Sequence, residues 1–221
     1  MSNDEFSVEF DLLFNNISSN QAPGLNELEK SIFLTEAQDV VVKELYSKVG
    51  FEHDEETMQY LRPLEKTFTT ENLGTIDEKY GLNEYNIKVP EDTDKLFVIV
   101  NEYATAAEDA GCSKVPYLTV LPVKKDEIDR IIKNPFRSAN NTRVLRVVCN
   151  DTDKKTITLY SSITLGSYEA TYLKYPSNIV LKGATEFDMD GYKTEASCEL
   201  PEGIHRTILL RAVQIAQSVW K

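Results

Sequence analysis

Side chains suited to catalysis are few in this 221-residue chain: two histidines, His53 and His205, and three cysteines, Cys112, Cys149 and Cys198. Two histidines cannot build a multi-histidine zinc site, and they restrict Ser-His-Asp chemistry to two candidate bases. His53 sits in an acidic stretch where a helix starts, His205 opens the last helical segment, and no G-x-S-x-G elbow accompanies either. A small hydrolase would need a nucleophile beside one of them, and the sequence offers none. The cysteines are odd in number and far apart, which fits neither a disulfide framework nor a C-x-x-C motif, so buried small hydrophobes are expected. Glu186-Phe187-Asp188-Met189-Asp190-Gly191 opens like a calcium loop, but Ser197 stands where the bidentate Glu belongs. An acidic turn is the expectation there. With no Walker A loop and no G-x-G-x-x-G, the sequence assigns no catalytic residue, no metal ligand and no cofactor.

Another kind of chemistry gathers in mid-chain. Lys124, Lys125, Arg130 and Lys133 lead into Phe136, Arg137, Arg143 and Arg146, a cationic run in a chain whose net charge is −12. That acidic balance argues against general nucleic-acid binding, which needs clustered Lys and Arg to neutralise phosphates. It suits solubility, or a conduit whose walls do not grip DNA. The plain reading of the run is a solvated loop. The functional reading is an inter-subunit contact through Lys125, Arg130, Lys133, Phe136, Arg137 and Arg143, because the Arg fork pairs well with carboxylates on a neighbour's acidic face.

The elements that must hold this loop follow from periodicity. Phe6, Phe10, Leu13, Phe14 and Ile17 predict an amphipathic helix over residues 4–17. A second helical pattern runs from Leu25 to Val49 and ends at Gly50, with Thr35-Glu36-Ala37-Gln38 at capping-box spacing that would split it. Met58, Leu61 and Leu64 form a short helix that Pro63 bends or ends. Past Thr69 the period changes. Residues 85–89, 96–103, 117–123, 143–149, 156–160 and 169–174 read as strands, Asn150 to Lys154 as a hairpin loop, and Lys124 to Lys133 as one short helix stopped by Asn134-Pro135. Helical spacing returns from Glu202 through Ile204, Ile208, Leu209, Ala212, Ile215, Ala216 and Val219, with Pro201 in the first turn. The expected fold is α+β: a helical bundle of the N-terminal helices and the C-terminal helix, with an inserted, mainly antiparallel β lobe. Its parts are residues 1–68, 69–199 and 200–221. The first residues carry no secretory signature, and no stretch reaches the roughly 18 to 20 apolar residues that span a bilayer.

Several stretches together resemble the ring adaptor family of crAss-like phages: Glu27 to Gln38 with the helix from Val40 to Tyr46, Asn134-Pro135-Phe136-Arg137, Arg143-Val144-Leu145-Arg146, Tyr172 to Leu181, and Cys198 to Ile208. They span most of the chain in the expected order. The Leu200-Pro201-Glu202 approach to the last helix is also similar to tail adaptors of other short-tailed phages. The resemblance implies a virion protein, made in the host bacterial cytoplasm, that assembles as a homo-oligomeric ring of twelve. It implies docking on the portal protein and neighbouring tail ring proteins, with genomic DNA passing through unbound, no membrane partner and no catalytic residue. The competing reading is a virion accessory protein using the β lobe as a binding module.

Overall fold

The computed structural model describes residues 1–17, 24–49, 55–71, 73, 77–89, 96–107, 117–151, 154–187 and 189–219. His53, Gly50, Cys112, Asp188 and the tip of the predicted 150–154 loop lie outside them. The chain is α+β and divides into two compact units, Met1–Glu65 with Tyr175–Lys221, and Lys66–Lys174.

In the first unit, α1 (Asn3–Ile17) buries Phe6, Phe10 and Phe14 at intervals of four. Its start is a reciprocal cap: the Ser2 N–H donates to the Glu5 carboxylate at 2.7 Å and the Glu5 N–H to Ser2 Oγ at 3.3 Å. Helix α2 (Glu27–Val49) is continuous, and its cap is Asn26 with Glu29, each accepting the other's N–H at 2.8 Å. The predicted box at Thr35 is not a cap. Thr35 lies mid-helix and turns its hydroxyl outward, as described below. Helix α3 (Glu55–Leu61) passes into a 3-10 turn, Arg62–Leu64, where Pro63 sits in the first turn and needs no N–H. Helix α5 (Glu202–Val219) buries Ile204, Ile208, Leu209, Ala212, Val213 and Ala216 and packs against α2 and α1. Gly203 lets Tyr60 approach, since a Cβ there would stand 3.3 Å from the Tyr60 ring.

After the last strand, residues 175–181 run along α2, held by that helix's side chains, before a 3-10 helix (Lys182–Phe187). Ser31 Oγ accepts the Leu181 N–H at 3.0 Å, Thr35 Oγ1 accepts the Ile179 N–H at 3.1 Å, and Gln38 Nε2 donates to the Ser177 carbonyl at 2.9 Å. Positions i, i+4 and i+7 of α2 thus satisfy a backbone that has one isolated bridge, Val180 to Ala196, in place of a strand ladder. This is why residues 175–199, predicted within the β lobe, belong with the helices: Pro176 follows the last strand and offers no N–H to continue it.

The second unit is one eight-stranded mixed sheet: β1 (Glu65–Thr70), β2 (Asp77–Lys79), β3 (Leu82–Lys88), β4 (Leu96–Ala106), β5 (Tyr117–Pro122), β6 (Arg143–Asp151), β7 (Lys154–Ser161) and β8 (Leu165–Lys174), in the order β1-β8-β4-β5-β6-β7-β3-β2. β5 and β6 run parallel; β2–β3, β3–β7, β6–β7, β4–β5 and β4–β8 run antiparallel. Two facts show that the sheet curls. Its edge strands are joined by residues 71–76, a span of at most ~25 Å from Thr70 to Asp77, whereas seven strand gaps laid flat cover ~33 Å. The Leu165 N–H of β8 also donates to Tyr85 Oη of β3 at 2.9 Å, although these strands stand second and seventh in the order. The concave face therefore encloses one core, with Phe68, Tyr85, Ile157, Leu159, Tyr168 and Tyr172 within it. On the opposite face Ile128 of α4 (Ile128–Ile132) covers Leu82, Leu145, Val147 and Tyr160. This helix is shorter than predicted because residues 124–127 form a turn, the Glu127 N–H bonding the Lys124 carbonyl at 3.0 Å, with no side-chain cap behind it.

Candidate subunit interface

The cationic run is the crossover between the parallel strands β5 and β6, a connection that a parallel pair requires. Its loop is tied from within. Asn134 Oδ1 accepts the Phe136 N–H at 3.0 Å, and the Asn134 carbonyl accepts the N–H groups of Arg137 at 3.0 Å and Ser138 at 2.8 Å. Farther on, Asn140 Oδ1 accepts the Thr142 N–H at 2.9 Å, and the Thr119 N–H of β5 anchors the loop's end on the Thr142 carbonyl at 3.0 Å. These bonds fix the backbone at Phe136, whose ring is 86% exposed.

The six candidate residues separate into two groups. Arg143 is half-buried, and its Nη1 donates to the Phe136 carbonyl at 2.7 Å, so the guanidinium braces the loop. Arg130 pairs with Glu127 at 3.1 Å on its own helix. Lys125, Lys133 and Arg137 are exposed and have no carboxylate partner among the described residues. The structure places Phe136 between Lys133 and Arg137 on one exposed turn.

Arg146 leaves the cluster. Its side chain is 11% exposed and pairs with Glu102 of β4 at 2.9 Å, while the Tyr168 hydroxyl donates to the same carboxylate at 2.7 Å. Burial pushes the Glu102 carboxyl up from its ordinary range, against the opposing pull of the Arg146 charge and the Tyr168 hydrogen bond. The Tyr168 hydroxyl is raised as well, by burial first and then by the Glu102 charge. Sequence spacing could not reveal this network, because its members come from β4, β6 and β8.

His205 is buried against Phe6, with ring centroids 5.4 Å apart. Its Nε2 lies 2.7 Å from the Leu200 carbonyl, to which it donates, and its Nδ1 lies 2.9 Å from the Met1 nitrogen. Both ring nitrogens thus meet main-chain groups, a structural arrangement. Cys149 and Cys198 are half-buried free thiols rather than fully buried ones. The Cys198 thiol donates to Gln38 Oε1 at 3.2 Å, and burial pushes it up to about 11, so it stays protonated at neutral pH. At the acidic turn, Asp190 pairs with Lys193 at 3.0 Å.

Charge is divided unevenly between the units. Residues 1–65 with 175–221 hold 20 Asp and Glu against 9 Lys and Arg, net −11; residues 66–174 hold 16 against 15, net −1. The acidic balance of the chain therefore sits on the helical unit, and the cationic loop on the other.

The chain matches the family model of phage tail ring protein 3/4 over residues 1–220. It is 34% identical over 226 aligned positions to Ring protein 3 of Bacteroides phage crAss001, covering 98% of this chain and 95% of that protein. To Ring protein 4/5 of the same phage it is 28% identical over 231 positions, covering 100% and 94%.

Proposed function

The chain belongs to the phage tail ring protein 3/4 family, a structural family of the virion, and on that premise we propose that it is a non-enzymatic subunit of an oligomeric ring at the portal-tail junction. The ring, of twelve copies, extends the DNA channel and docks the portal and neighbouring tail proteins. DNA passes without specific binding, in keeping with the net charge of −12. α1, α2 and α5 act as the bundle that carries the docking surface, and the β unit carries the inter-subunit loop.

The observation that supports this most is the separation of charge. A closed ring uses heterologous contacts, in which one surface of each copy meets a different surface of the next. The cationic turn on one unit and the acidic surface of the other, net −11, supply such a pair on one chain. Lys125, Lys133, Phe136 and Arg137 form the contact, and Arg130 and Arg143 shape the loop that presents it.

Reversing charge with Lys133→Glu and Arg137→Glu tests the reading. Both side chains are exposed, so stability is expected to stay within about 0.5 kcal/mol, while incorporation of the chain into particles falls sharply. Unchanged copy number and position in imaged particles would reject the loop as interface.

A further inference from the structure

We propose that Phe136 of one copy seats in a pit on the helical unit of the next copy, beside an exposed apolar pair on α1; this deepens the ring reading and rests on it.

The knob is built for presentation. Phe136 is 86% exposed, yet its N–H and carbonyl are both held, by Asn134 and Arg143, so little loop freedom remains to be lost when it binds. A fixed aromatic flanked by Lys133 and Arg137 has the composition of an interface anchor, in which aromatic and Arg residues dominate.

The socket lies on the face of α1 turned away from Phe6, Phe10 and Phe14. Val8 and Leu12 stand four residues apart, hence on one face, and are 60% and 59% exposed. Beside Val8 opens a pit of about 310 Å³ whose walls include Leu181 and Gly183, with Asp4, Glu27 and Lys182 also among its lining residues. A cavity of ~150 Å³ accepts a benzene ring, so a phenyl group fits with room to spare. Gly183 keeps one wall low: a Cβ there would stand 2.8 Å from Glu27 Cγ.

Charge and arrangement select a second copy as the occupant. The pit belongs to the unit of net −11, and the knob's neighbours are cations without carboxylate partners among the described residues. Knob and socket lie on different units of the same chain, so each copy offers one of each, and contacts of this kind propagate head to tail until they close.

The test uses wild-type particles assembled from an equal mixture of light and heavy-isotope chain, treated with a zero-length carbodiimide that joins ammonium to carboxylate only on contact. Mixed-isotope peptide pairs linking Lys133 to Asp4 or Glu5 are expected, and Phe136→Ala is expected to lower incorporation about 10- to 30-fold, the range of a hot-spot truncation. A ring visible by imaging without any link between Lys133 and α1 overturns the contact and leaves the ring reading standing. Particles that carry this chain but no ring of it overturn both.

Discussion

Replacing Thr35 by Val separates the two roles that this residue could have. In the structure its Oγ1 accepts the Ile179 N–H at 3.1 Å and donates to the Ser31 carbonyl at 2.8 Å, and Ile179 is fully buried. Val matches Thr in shape and removes only the hydroxyl. The Ile179 N–H is then left without water or acceptor, which costs ~1–3 kcal/mol; the Ser31 carbonyl keeps its helical partner, so nothing is added there. A central value of about 2 kcal/mol corresponds to a fall of about 4–8 °C in the melting temperature of a protein this size. Thr35→Ser keeps the hydroxyl and loses one methyl, at roughly 0.8 kcal/mol. A cap would behave otherwise: Thr35→Val would cost about 1 kcal/mol, and Asn26→Ala would be silent. The structure reverses the second expectation, since Asn26 is the cap and its loss should cost about 1 kcal/mol. Denaturant unfolding with amide exchange at Ile179 decides the matter. Exchange there is expected to rise about 30-fold in Thr35→Val. A variant within 0.5 kcal/mol of wild type, with Ile179 still protected, would refute the clamp.

Two further outcomes concern buried charge. Burial lowers the pKa of the Lys30 ammonium, but its bonds to Asp11 at 2.7 Å and Glu27 at 2.8 Å outweigh this and hold it above its ordinary 10.5. Because the folded value is the higher one, this stabilisation is complete below pH 10.5 and is lost as pH rises through the folded value. Unfolding midpoints should therefore drop in that alkaline range in wild type and less in Lys30→Met, which starts lower at neutral pH. Glu102 follows the same sign at lower pH: burial raises its folded pKa above 4.5, so its favourable contribution is present below that value and fades as pH rises through the raised one. Arg146→Met strands the carboxylate and should cost about 3–5 kcal/mol at neutral pH, with a steeper decline on raising pH. Adding Glu102→Leu should restore most of the loss, as read by denaturant unfolding.

Helices with repeating apolar faces were legible in the sequence, because Phe6, Phe10 and Phe14 or Ile204, Ile208 and Ala212 state their period locally. Six strands were legible for the same reason. β1 was not, since Glu-Lys-Thr-Phe-Thr-Thr buries only Phe68 and Leu64 before it belongs to a helical turn. β2 has three residues and is joined to β3 by Tyr80-Gly81, both at positive φ, 59° and 74°. Such a two-residue turn ordinarily announces itself as Asn-Gly, and Tyr in that position gives no signal. The candidate loop was visible as composition, but its inner division was not. Nothing in the spacing of Arg143 and Arg146 says that one binds a loop carbonyl and the other a carboxylate 44 positions earlier in the chain. The exposed pair Val8 and Leu12 is readable at i, i+4, but the stripe of phenylalanines on the other face is the stronger signal.

How copies of this chain join is constrained by the sheet itself. An open sheet with edges on opposite flanks can extend from copy to copy by strand addition, the commonest hazard and resource of exposed edges. Here β1 and β2 are both bound to the short segment 71–76, so the strand ends it joins lie within ~25 Å of each other, and Leu73 of that segment is buried in the shared core. Edge-to-edge pairing in a ring needs one edge toward each neighbour, an arrangement that this short connection disfavours. The contact proposed above runs instead through side chains on separate surfaces. Its two proposed surfaces are the cationic, aromatic turn after α4 and the exposed face of α1, which belong to units of net charge −1 and −11.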